Sequence, residues 1–157
     1  MKNLLIILLL GGLLSSTALA QTAQKSGEGS GSAVAEIEWL SIDEAQARNA
    51  EEPRPFFVDV YTDWCGWCKR MDKDTFSDAD VAAYVNENFY AVKLDAESST
   101  MVNYKGEVMS QTALAREWGV RGYPTIVLID EDLYSPQAKP GYRKPAAFLS
   151  LLRTFKD

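Results

Sequence analysis

Cys65 and Cys68 are the only cysteines of the 157-residue chain, two residues apart in Asp63-Trp64-Cys65-Gly66-Trp67-Cys68-Lys69. Two thiols at that spacing can exchange a disulfide, supply half of a metal site or close a local clip. A structural zinc site needs four ligands, and the chain has no histidine to complete one. A Cu(I) ion held on two thiolates alone remains open to such a pair. A clip around so short a loop would restrict the unfolded chain little. Thiol–disulfide exchange is the use that employs every feature present. The attacking species is a thiolate, and the free N–H groups at a helix start stabilise one. Cys65 is therefore expected as the exposed nucleophile. Cys68, three residues on and on the same face of the first turn, is expected as the less exposed resolving thiol that closes a Cys65–Cys68 redox disulfide.

Two further features bear on that chemistry. Asp59 interrupts the apolar run Phe56-Phe57-Val58-Asp59-Val60-Tyr61. It reads either as an edge-strand acid facing water or as a partly buried carboxyl of raised pKa, poised to exchange a proton with Cys68. Pro124, in Gly122-Tyr123-Pro124-Thr125, stands just ahead of an apolar strand. It reads either as a plain loop ending or as a cis bond that presents backbone beside the cysteines. Trp64, Gly66, Trp67, Tyr123 and Pro124 are the candidate substrate contacts, an apolar surface around the sulfurs. The lack of histidine excludes Ser-His-Asp and Cys-His catalysis. A net charge of −6 argues against nucleic acid or an anionic membrane surface as partner. No cofactor and no metal is expected.

The elements that must position these residues follow from patterning. Residues 1–20 read as a signal peptide, with Lys2, an apolar core shorter than a bilayer span, and small residues Ala18 and Ala20 before a cleavage point. Residues 21–33, rich in Gly and Ser, read as a flexible linker, and 34–157 as one domain. Residues 35–40 alternate as a short edge strand, and Ser41 with Glu44 predicts a capping box for a helix that Pro53 and Pro55 stop. Residues 55–62, 90–96 and 125–130 predict buried strands. The cysteines lead into a helix through Phe76, and Asp78 is the N-cap expected for the next one. Gly106 marks a turn within 97–110, a segment expected to act as a substrate-facing lid. A helix ending at Gly119, an edge strand at 141–144 and an amphipathic helix beginning near Pro145 complete an alternating α/β pattern.

These segments together resemble the thioredoxin superfamily. Residues 56–71 are similar to its strand–motif–helix signature, in which a buried acid stands six residues before the first cysteine, as Asp59 does before Cys65. Lys93 matches a lysine that lies near that acid, and Pro124 matches the family's cis-proline. The resemblance implies a thioredoxin-like fold, α/β with a central mixed sheet flanked by helices on both faces. It also implies catalytic roles for Cys65, Cys68 and Asp59. Trp67 replaces the proline typical of cytosolic members, Tyr61 stands where they carry tryptophan, and 97–110 is longer than in the minimal fold. Residues 63–81 are closer to exported members, including the C-terminal domains of membrane disulfide reductases.

Strong oxidants of the superfamily place a histidine between the cysteines, which stabilises the reduced form. Gly66 and Trp67 carry no charge, Asp63 adds a negative field, and Lys69 with the helix start is left to stabilise the thiolate. The expectation is a reducing couple in an exported, periplasmic or otherwise extracytoplasmic thiol:disulfide oxidoreductase. Its partners would be exported proteins with disulfides or mixed disulfides and a thiol electron donor such as a membrane disulfide reductase. Nucleic acid and stable membrane insertion after signal cleavage are not expected. A disulfide oxidase or isomerase of the same fold and a non-catalytic Cu(I) carrier are the alternatives.

Overall fold

A computed structural model describes residues 35–157. The expected signal peptide and linker lie outside the described residues. Strand β1 (Trp39–Leu40) leads through Ser41 into α1 (Ile42–Glu51). The capping box forms as the sequence predicts: Ser41 Oγ accepts the Glu44 N–H, and the Glu44 carboxylate accepts the Ser41 N–H at 2.8 Å. Strand β2 (Phe56–Tyr61) follows, with β3 (Tyr90–Asp95) parallel to it on one side and β6 (Thr125–Ile129) antiparallel on the other. The five-stranded order is β1-β3-β2-β6-β7, with β7 (Gln137–Pro140) at the far edge. A strand with neighbours on both sides and helices on both faces buries nearly every side chain, which is why β2 reads as an apolar run broken by Asp59.

Alternate residues of β2 serve two separate cores. Phe56, Val58 and Val60 face α1 and α4 (Gln111–Glu117), meeting Ala45 and Leu114. Phe57 faces α2 (Gly66–Met71), α3 (Ala79–Asn88) and α5 (Pro145–Lys156). Its ring lies 5.0 Å from Phe148 and 5.4 Å from Phe76, in tilted and edge geometries that aromatic pairs favour. Period-two alternation puts Asp59 on this second face, the one that carries α2. Helix α3 starts at the expected N-cap, with Asp78 accepting from Asp80 N and Val81 N. Gly119, at φ 75°, ends α4 in the left-handed conformation that glycine permits.

Three expectations need correction. The helix after Cys68 stays α-helical only to Met71; Asp72–Phe76 form a π-helical turn. The last edge strand lies at 137–140, not 141–144. Gly141, at φ 97°, ends it. The next residues are held against the π turn, with Tyr142 donating to Asp74 at 3.0 Å and Thr75 Oγ1 to the Arg143 carbonyl at 2.6 Å. Residues 97–110 contain a hairpin, β4 (Met101–Tyr104) and β5 (Glu107–Ser110), and it is no lid. Gln46 of α1 clasps it, donating to Asn103 O at 2.6 Å and accepting from Lys105 N at 2.9 Å. Its tip reaches past the C-terminal end of β6, where Tyr104 donates to Leu133 O at 3.0 Å. The cysteines lie at the opposite end, where β2 finishes beside the start of β6.

Candidate active site

The chain leaves β2 at Tyr61 and turns at once, with Cys65 N donating to Thr62 O at 3.1 Å. Cys65 is the N-cap of α2 at φ −71°, and its Sγ accepts the Cys68 N–H at 3.1 Å. That N–H is one of the donors a helix start leaves unpaired. The two sulfurs are joined at 2.02 Å, with the Cα atoms 5.3 Å apart. Cys65 is 4% and Cys68 3% exposed. The expected contrast in exposure is absent in this disulfide form, because the bond holds both sulfurs in one environment. The asymmetry lies in hydrogen bonding, since Cys65 Sγ alone takes the N-cap position.

Asp59 lies in β2, the strand that leads to the cysteines, and is 1% exposed. It faces Lys93 across the β2–β3 register, and Lys93 Nζ donates to its Oδ2 at 2.9 Å. Burial pushes its carboxyl up to about 6 against the opposing pull of Lys93, with the Asp72 charge adding to the rise. Asp59 Oδ1 has no hydrogen-bond partner among the described residues. Lys93 also donates to Asp72 Oδ1, so one ammonium serves two carboxylates. Burial works to lower the Lys93 pKa, but the two acids outweigh it and hold it above the ordinary lysine value.

Asp72 was not among the residues singled out in the sequence. The signal was there: Cys68, Met71, Asp72 and Thr75 follow the i, i+3, i+4, i+7 stripe of an inward helix face. Lys69, named as a thiolate stabiliser, is exposed and makes no ion pair among the described residues. Arg70 is instead the ordered cation beside the motif, bonded through Nε to Asp74 at 3.1 Å. Its guanidinium lies 5.4 Å from the Trp67 ring centre.

The expected substrate contacts gather into two aromatic pairs. Trp64, 66% exposed, stands edge-on to Tyr123 at 5.9 Å and donates its indole N–H to Glu97 at 3.0 Å. Trp67, 56% exposed, leans on Tyr142 at 5.4 Å. Tyr142 was missed by sequence reasoning because its segment was read as a strand. The Tyr123–Pro124 bond is cis, and Pro124 itself is buried, its carbonyl accepting from Gly141 N at 2.8 Å. A Cβ at Gly66 would meet nothing within 4 Å, so packing does not demand glycine there. A cleft lies at the far end of the sheet around Pro53, Pro55 and Glu131, and the disulfide has no part in it. Among the described residues no group of three or more His, Cys, Asp or Glu could hold a metal ion. None of their helices is long and apolar enough to cross a membrane.

A thioredoxin-like domain profile matches residues 42–156. The thiol:disulfide interchange protein DsbD of Citrobacter koseri is 30% identical over 161 residues, 98% of this chain and 26% of that protein. DsbD of Ralstonia nicotianae is 29% identical over 113 residues, 71% of this chain and 17% of that protein. The chain thus spans about a quarter or less of the length of these curated relatives. Among solved structures, the oxidised C-terminal domain of DsbD from Neisseria meningitidis superposes with a TM-score of 0.54 at 24% identity, covering 71% of this chain and 89% of that one. A thioredoxin from Thermus thermophilus superposes with a TM-score of 0.61 at 23% identity, covering 77% and 88%. Both structural likenesses bear on the fold.

Proposed function

We propose, on the premise that this chain belongs to the thioredoxin-like family, that it is an exported thiol–disulfide oxidoreductase working in the reducing direction on disulfides of other exported proteins. The observation that carries the reading is the Cys65–Cys68 disulfide at the head of α2, with Cys65 as N-cap. In the reduced protein the Cys65 thiolate attacks one sulfur of a client disulfide. A Cys65–client mixed disulfide forms, and the other client sulfur leaves as a thiolate. Cys68 gives its proton to Asp59 and attacks Cys65 Sγ. The second client thiolate leaves, the Cys65–Cys68 disulfide closes, and two electrons have passed to the client. A carboxyl of pKa about 6 exchanges that proton readily near neutral pH.

The geometry supports a macromolecular client. Exposed Trp64, Gly66 and Trp67 and half-buried Tyr123, joined by a cis bond to the buried Pro124, offer the surface on which a chain segment can lie. Lys93 holds Asp59, and Lys69 faces solvent at the mouth of the site. A thiol donor, such as a membrane disulfide reductase, restores the dithiol. Export rests on the signal-like residues 1–20, with residues 21–33 as the tether between leader and domain.

The test is reduction of insulin disulfides with dithiothreitol as electron source. Wild type is expected to turn over, Cys65→Ser to lose all activity, and Cys68→Ser to accumulate a mixed disulfide on Cys65. Turnover that survives Cys65→Ser overturns the scheme.

A further inference from the structure

The two aromatic pairs beside the disulfide end in groups of opposite charge. On one side Trp64 is bonded to the exposed carboxylate of Glu97, which follows β3 and lies next to Asp95 in the same turn. On the other side the guanidinium of Arg70 lies over Trp67, 5.4 Å from its ring centre, and 5.9 Å from that of Tyr142, which follows β7. Strands β3 and β7 stand on opposite sides of β2 in the sheet, so the strand that delivers the cysteines runs between the two ends. Arg70 meets Asp74 through Nε, and its side chain is 59% exposed. Arg143, beside Tyr142, donates Nη1 to the carbonyls of Lys139 and Gly141, which leaves its positive charge uncompensated there. With Asp74 set against Arg70 and Arg143, the end around Trp67 and Tyr142 keeps a net positive charge, and the end around Trp64 carries Glu97 and Asp95, on a chain that is acidic as a whole.

We propose that Glu97 and Arg70 are specificity-determining residues that select the charge register of a client segment. A client lays a carboxylate on its cysteine's flank against Arg70 and a cationic or neutral residue on the other flank near Glu97. The opposite arrangement sets like charges together at both ends, which an open rim penalises modestly and in a salt-dependent way. This inference rests on the disulfide-reducing activity proposed above and adds the class of client sequence that the site takes.

Three disulfide-linked peptides of matched length test it. One carries aspartates before its cysteine and lysines after, the second has that order reversed, and the third has serines throughout. The reduced wild-type protein is expected to differ between the two charged peptides by about 3- to 10-fold in kcat/KM, and about 0.5 M salt to erase the difference. The double variant Arg70→Glu, Glu97→Lys is expected to invert the order, an outcome that a merely structural role for these exposed residues does not produce. Equal rates on the two charged peptides, or an unchanged order in the double variant, overturn the inference while wild-type reduction of the serine peptide keeps the activity itself standing. Failure of wild type on all three peptides removes the activity and the inference with it.

Discussion

Asp59 is the residue on which stability and chemistry pull in opposite directions. Its carboxyl is raised from 3.8 to about 6, chiefly by burial, so the folded chain holds a proton there that the unfolded chain has released. Its contribution to stability is therefore greatest below the unfolded pKa and is lost as pH rises through about 6. The difference is worth about 3 kcal/mol by linkage. Asp59→Asn is predicted to raise the urea midpoint at pH 8 and to flatten the pH dependence between about 4 and 7. The same variant should slow closure of the Cys65–Cys68 disulfide from the mixed intermediate. Asp72→Asn leaves Lys93 wholly to Asp59 and removes a second negative charge, so the pH profile of that closure should move to lower pH; a profile that stays in place removes Asp72 from the account. Trp67→His should raise the reduction potential, because an imidazolium between the cysteines favours the thiolate. Asp59 was legible in the sequence because an acid in an apolar strand is conspicuous. Asp72 lies among other charges, and only its helical phase marked it.

At the scale of elements, the hairpin in the segment that sequence reading placed over the site turns out to brace α1 and the far end of the sheet, and Glu97 at the segment's start is what meets the site. The β4–β5 hairpin buries Val102 and Tyr104, and the Tyr104 ring stands edge-on to Trp118 at 5.3 Å. Tyr104→Ala is predicted to cost roughly 3–5 kcal/mol, the range for emptying a buried aromatic site. Ser41→Ala, which breaks the capping box of α1, should cost about 1 kcal/mol. Chemical denaturation of both variants checks the two figures, and insulin reduction at a temperature where Tyr104→Ala remains folded should be unchanged, since the hairpin is remote from the cysteines. The turn itself was legible at Gly106, which with Lys105 takes the positive φ that a tight hairpin needs. The strands beside it were not, because Val102 and Tyr104 are inward on only one short strand and Val108 is exposed. The π-helical turn was equally hidden, since nothing in the residue types of 72–76 distinguishes it from a continuing α-helix.

At the scale of the whole molecule, the strand–helix alternation and the resemblance carried the architecture correctly, because central strands and capped helices write strong periodic signals. The rim of the site was only half legible. Trp64, Trp67 and Tyr123 stood next to recognisable motifs and Arg70 followed Cys68 by two residues, whereas Tyr142 and Glu97 reach the site through tertiary contacts that no spacing announces. The direction of electron flow is the claim on which the rest depends. The proposed reducing direction rests on a Cys65 Sγ that accepts one N-cap hydrogen bond, on the lack of histidine in the chain, and on Arg70 beside the motif being bonded to Asp74. Equilibration of the purified domain with glutathione or dithiothreitol buffers measures the reduction potential of the Cys65–Cys68 couple. The expected value lies near the roughly −270 mV of thioredoxin; a value near the roughly −120 mV of a strong oxidant would overturn the reducing assignment.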